Sequence, residues 1–180
     1  MMTGVARGVA LLVPAVLTAV PAPGTDYGDC LELPGEEVLF SFFVPSGGEV
    51  VSILHSPAGD YVACRLGAPD AIELEFPEPS PASWGCFEYA WYMRPGMGGA
   101  NMGMDLNRLA FETDGLRYEI YEDREEHTGS LIGLRVLSGD VVLADMAGDT
   151  ATIAGSLLPF RFELGDRLVS SAGTGTSQLP

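Results

Sequence analysis

Residues 106–145 read LNRLAFETDGLRYEIYEDREEHTGSLIGLRVLSGDVVLAD. Four short runs of apolar and β-favouring residues are separated by Thr113-Asp114-Gly115, by a charged loop, and by Ser138-Gly139. In the second run Leu116, Tyr118 and Ile120 alternate with Arg117, Glu119 and Tyr121. In the third, Ile132, Leu134 and Val136 alternate with Gly133 and Arg135. Successive side chains of a strand point to opposite faces, so each run offers one face to a core and one to water. Asp-Gly supplies the positive φ angles of a two-residue hairpin, and Ser-Gly is a weaker signal of the same kind. The stretch predicts a β-meander.

The chain before it repeats the pattern. Strands are expected over 38–44, 49–55, 61–66 and 71–76, with turns at Pro45-Ser46-Gly47-Gly48, Pro57-Ala58-Gly59-Asp60 and Gly67-Ala68-Pro69-Asp70. Pro77, Pro79 and Pro81 then break the regularity, because proline cannot donate to a ladder. Residues 86–92 (CFEYAWY) suggest a further strand, and 156–162 (SLLPFRF) an edge strand or a helical turn, with Pro159 favouring the edge. The whole reads as an all-β chain, an antiparallel sandwich or small barrel of short strands joined by Gly/Pro turns, with a C-terminal meander.

With 180 residues the chain is expected to form one domain over 21–165. Residues 1–20 read as a signal peptide. Arg7 is the only charge before Asp26, and 8–20 (GVALLVPAVLTAV) is apolar but too short to span a bilayer. Residues 166–180 read as a flexible Gly/Ser/Thr-rich tail. The expected location is periplasmic or secreted. Three cysteines, Cys30, Cys64 and Cys86, would in that compartment give one disulfide, Cys64 with Cys86 or Cys30 with Cys64, and one spare thiol.

The formal net charge is −16, and all nine basic residues are arginine. Such a field repels phosphate backbones and anionic lipid, so nucleic acid and membrane are not expected partners, while a cationic protein is. No P-loop, GxGxxG, HExxH or paired-cysteine motif is present, and no cofactor is called for. His55, with Ser52 and Ser56 near it, permits a hydrolase reading, but no GxSxG elbow accompanies it and a partly buried histidine is the plainer reading. His127 ends the run Glu122 to Glu126, a charged hairpin tip without the spaced ligands of a calcium loop. Met93, Met97, Met102 and Met104 crowd one glycine-rich loop, and thioether sulfur selects Cu(I), so copper handling is a second reading beside simple packing. Trp84, Tyr89, Trp91 and Tyr92 precede that loop as a candidate binding patch.

Leu39-Phe40-Ser41, Val51-Ser52, Arg65-Leu66-Gly67 with residues 72–76, Leu109-Ala110-Phe111 and residues 118–121 together resemble a set of small, uncharacterised exported proteins of Gram-negative bacteria. The resemblance implies export and a β-rich fold. Those proteins often carry cysteines where this chain has Phe42 and Ile53, and tend to end on a cysteine absent here near Asp145, so their disulfides do not transfer. In size, export signal and acidity the chain is also similar to periplasmic lysozyme inhibitors. The function expected is therefore an exported binding or inhibitor-like protein that captures a cationic partner.

Overall fold

The computed structural model describes residues 30–96, 103–127 and 129–168. The expected signal segment, Met97, Met102 and residues 169–180 lie outside them. In chain order the strands are β1 (Glu37–Val44), β2 (Glu49–His55), β3 (Val62–Ala68), β4 (Ala71–Phe76), β5 (Glu88–Arg94), β6 (Met104–Thr113), β7 (Leu116–Glu125), β8 (Gly129–Ser138), β9 (Val141–Ala147) and β10 (Ala154–Gly155). A single helical turn, α1 (Pro159–Phe162), follows. The strands form two five-stranded antiparallel sheets, ordered β10-β1-β2-β3-β4 and β5-β6-β7-β8-β9. This is the sandwich of the two expected architectures, not the barrel. Among the described residues no helix is long and apolar enough to cross a membrane.

The meander forms as its turns demand. Thr113 pairs with Leu116 across Asp114 and Gly115, whose φ angles are 52° and 76°. Ser138 pairs with Val141 across Gly139 and Asp140, with Gly139 at φ 55°. These are the left-handed angles that fit a two-residue loop to the strand twist. The second sheet is therefore built by sequence-local pairing alone.

The core lies between the inner faces. Phe40, Phe42, Val51, Ile53, Val62 and Cys64 come from the first sheet, and Leu109, Phe111, Ile120, Ile132 and Leu134 from the second. A three-ring stack joins the sheets: Phe76 on Phe111 at 4.6 Å, and Phe111 on Tyr118 at 5.1 Å. Phe42 and Ile53 both face this core. Each fully buried side chain of this size contributes about 1.5–3 kcal/mol.

Two regions depart from the sequence reading. Residues 156–162 make no edge strand. Pro159 opens α1, where its missing N–H costs nothing, and the edge pairing falls to Ala154 and Gly155 beside Phe40 and Ser41. The packed domain also runs past residue 165. Gly165–Arg167 forms a 3-10 turn and Leu168 is buried, so the tail does not begin at 166.

The outer face of the first sheet is covered rather than wet. Ser41, Ser52, Arg65 and Glu75 stand directly opposite one another across β1 to β4. The lead-in, residues 30–36, lies over this row. The Leu31 N–H donates to Ser52 Oγ at 3.0 Å, and Arg65 Nη1 donates to the Leu31 carbonyl at 3.0 Å. Arg65, fully buried, pairs with Glu36 through both Nη atoms and with Glu75 through Nε at 2.5 Å.

No disulfide forms, which corrects the expectation of one. Cys30, Cys64 and Cys86 are all free thiols. Alternation puts Cys64 on the inner face with Phe76 and Ile53, whereas Cys30 adjoins the lead-in on the outer face. A Cys30–Cys64 bond would have to pass through the sheet. Cys86 is exposed while Cys64 is sealed in the core, where burial pushes its thiol up to about 12.

Candidate functional site

The strand registers bring one set of side chains together at the end of the second sheet. Met93 faces Asp105, and Asp105 faces Arg124. Arg94 faces Met104, and Met104 faces Glu125. Here a cleft of about 510 Å³ opens. Met93, Pro95 and Met104 supply apolar wall, and Asp105, Glu125 and Glu126 supply carboxylates; Arg94 and Arg124 also line it. Gly96 and Gly103 approach closely at the rim: a Cβ on Gly96 would sit 2.9 Å from the Gly103 nitrogen. That contact lets the Gly103 N–H donate to Glu126 Oε2 at 2.9 Å while the Glu126 N–H donates to the Gly103 carbonyl at 3.1 Å.

Behind the cleft lies a buried polar network on the inner face of the sheet. Asn107, fully buried, accepts from the Tyr89 hydroxyl at 2.6 Å and from Arg161 Nη2 at 2.8 Å, and donates to the Glu122 carbonyl at 3.2 Å. Arg161 Nη2 also donates to Asp105 Oδ1 at 2.5 Å, and its guanidinium lies 4.3 Å from the Trp91 ring centre. Glu122 Oε2 accepts from Ser156 Oγ at 2.8 Å and from the Leu157 N–H at 2.7 Å; Glu122 Oε1 pairs with Arg124 at 2.7 Å. The Arg161 side chain is 5% exposed, and its buried Nε has no partner. Burial pushes the Tyr89 phenol up to about 12, against the lowering influence of Arg161. A buried network of this kind is rigid where satisfied. It fixes Asp105 and Arg124 at the cleft.

The sequence reading did not single out Asp105, Asn107 or Arg161, and it put Glu122 in a charged hairpin tip, whereas Glu122 is buried within β7. The alternation carried the signal: Asn107 shares parity with Leu109 and Phe111, and Glu122 shares parity with Tyr118 and Ile120. Polar residues in core-facing positions of a strand need partners.

The residues it did single out are scattered. Trp84 is in the core, with its indole N–H donating to the Gly59 carbonyl at 2.9 Å and Arg167 over its ring, so it belongs to no surface patch. Tyr89 and Trp91 face inward and Tyr92 outward, opposite Leu106. Met93 and Met104 both line the cleft but have opposite parity on adjacent strands; Met97 and Met102 lie outside the described residues. Cys86 ends a 3-10 turn, Ser83–Cys86, that precedes β5, whereas Met93 lies near the far end of that strand. Cys86 instead lines a separate cavity of about 260 Å³ with Phe76 and Phe111.

His55 pairs with Glu37 through Nε2 at 3.4 Å, and its Nδ1 has no partner. Ser52 is bonded to Ser41 and Leu31, and Ser56 accepts from the Asp60 N–H, so neither serine joins the ring. Glu126 and His127 are exposed at the hairpin tip. Among the described residues no group of three or more His, Cys, Asp or Glu side chains is placed to hold a metal ion.

Comparison with protein-family models, with curated proteins and with solved structures finds no match to this chain.

Proposed function

We propose that this chain is an exported binding protein that captures a cationic protein partner, with the cleft at the end of the second sheet as a principal contact. One observation carries the reading. Among the described residues most arginines are spent internally: Arg65, Arg108, Arg117, Arg124, Arg135 and Arg161 are held in ion pairs with the chain's own carboxylates. Arg167 is turned to the Gly59 carbonyl and the Trp84 ring. With the cations so committed, the surplus that makes up the net charge of −16 is what the molecule shows to others. A cleft that combines thioether and proline wall with the carboxylates of Glu125 and Glu126 fits a lysine or arginine side chain, whose stem is apolar and whose tip is charged. Electrostatic steering then favours fast, salt-sensitive association.

The test is titration with a basic cell-wall lytic enzyme, lysozyme, beside an acidic control protein. Affinity for lysozyme is expected to fall at least about tenfold between low and roughly 0.5 M salt. Absent binding, or binding indifferent to salt, overturns the reading.

The placement of Met93 and Met104 in the same cleft favours a second reading, Cu(I) handling by the methionine-rich loop. Replacing Met97, Met102 and Met104 with Ala is expected to weaken Cu(I) retention against a competing chelator. Equal retention by the variant makes the loop structural.

A further inference from the structure

Sheet edges invite pairing with other chains, and proteins guard them with charge, proline or short strands. Three of the four edges here are guarded. β10 is two residues long; β4 carries Glu73 and Glu75 and runs into Pro77; β5 carries Glu88 and Arg94 and runs into Pro95. The fourth, β9, is not. Its only charge is Asp145, which accepts from Arg135 Nε at 2.9 Å and from the Tyr121 hydroxyl at 3.2 Å. Among the described residues nothing pairs with its outer side.

Val141, Val142 and Leu143 are exposed to 62, 51 and 58%. Leu143 has no Cα partner on β8, because Leu137 pairs with Val142 and Val136 with Ala144. This bulge leaves Leu143 out of the ladder, beside Val141 and Val142 on the edge strand, so that three successive aliphatic side chains meet solvent. Asp140 precedes the strand and Asp149 follows it. Arg135, the nearest cation, is committed to Asp145 and Glu119.

We propose that β9 is a strand-addition site for an extended segment of a partner protein, with alternating apolar side chains between basic flanks. Backbone pairing along β9 supplies affinity, and the aliphatic patch and the two terminal carboxylates supply specificity. Charge complementarity selects this occupant over a second copy of the chain, since two copies would each bring −16. The inference rests on the reading of the chain as a binder of cationic proteins. It names a second surface, four strands across the sheet from β5 and the cleft.

The probe is the peptide Arg-Thr-Val-Thr-Val-Thr-Val-Thr-Arg, added to the full chain and read by amide hydrogen exchange. Exchange of β9 amides is expected to slow at least about tenfold, with the β4 and β5 edges unchanged. A Val142→Lys/Leu143→Lys variant, altered only at exposed positions, is expected to lose peptide affinity at least about tenfold. So is the wild-type chain offered a glutamate-flanked peptide. The proposal is overturned if β9 exchange is unmoved by the peptide, if protection appears only around the cleft, or if β9 is already protected in a dimer without peptide. If lysozyme binds with salt sensitivity while β9 stays unprotected, this inference fails and the reading of the cleft stands. Loss of both fails both.

Discussion

Arg65 is a buried cation on the side of a sandwich that usually faces water, and its surroundings define what each partner is worth. Its guanidinium touches Glu36, Glu75 and the Leu31 carbonyl, so its charge is met on every side. Replacing Arg65 with Leu leaves the Glu36 carboxylate, 3% exposed, without its counter-ion. The expected loss is about 3–5 kcal/mol, seen as a lowered urea midpoint, and a combined Arg65→Leu/Glu36→Gln chain recovers part of it. The same group sets an acid limit. Burial pushes the Glu36 carboxyl up, but hydrogen bonds from Arg65, the Leu33 N–H and the Tyr61 hydroxyl outweigh it and hold it below the usual value of 4.5. A folded-state pKa below the unfolded one means that this stabilisation is complete above about pH 4.5 and fades as pH falls through the folded value. Stability measured against pH should therefore drop on the acid side, and Glu36→Gln should flatten that drop. The cysteines give a third check at this scale. A thiol reagent is expected to modify Cys86 at once in the native chain and Cys64 only after denaturant is added, because Cys64 is both sealed and unionised. Its inward position was legible, since Cys64 alternates with Ala63 and Arg65 in the parity of Val62 and Leu66. Counting cysteines gave the disulfide instead, and a count carries no information about which face of a sheet each one occupies.

Among the elements, the strands with strict alternation or an Asp-Gly turn were readable, because period and turn chemistry are both local. α1 and β10 were not. A four-residue helix shows no 3.6-residue period, and a two-residue strand shows no period at all. Their roles come from contacts made far along the chain: Ser156 donates its N–H to the Leu39 carbonyl, and Leu157 donates its N–H to Glu122. The lead-in is similar, as nothing in Leu31 to Glu36 announces a segment that will cover Arg65. The C-terminal segment nonetheless closes one side of the core with Leu157, Phe160 and Leu168, all buried. At about 1.5–3 kcal/mol each, their removal costs an amount comparable to the whole stability of an ordinary domain. A chain ending at Ala147 is thus expected to lose the cooperative unfolding transition and the dispersed amide spectrum of the full chain. Retention of both would show that the two sheets suffice alone.

On the scale of the whole molecule, charge is divided by depth. Arg108, Arg135 and Tyr121 form a stacked, ion-paired layer on the outer face of the second sheet, with Glu119, Asp123 and Asp145 as partners. Arg65 is likewise ion-paired, fully buried beneath the lead-in. Such buried and half-buried pairs are screened less by salt than exposed charges are. Added salt is accordingly expected to weaken capture of a basic protein far more than it changes the melting temperature, a contrast that calorimetry and titration on one sample would display. The excess of carboxylates could be read from composition, but the cleft could not, since it is assembled from the ends of β5, β6 and β7 and the network behind it from residues up to 72 positions apart (Tyr89 to Arg161).

The positions of the two tryptophans make the molecule its own optical instrument. Trp84 is enclosed in the core beneath Arg167, and Trp91 lies beneath Arg161, whose guanidinium also holds the Asp105 of the cleft. Emission from the first changes when the sandwich comes apart. Emission from the second changes when something disturbs the Arg161–Asp105 contact. A Trp84→Phe chain leaves one fluorophore, set one residue behind the cleft wall, so that an unlabelled partner entering there announces itself by colour.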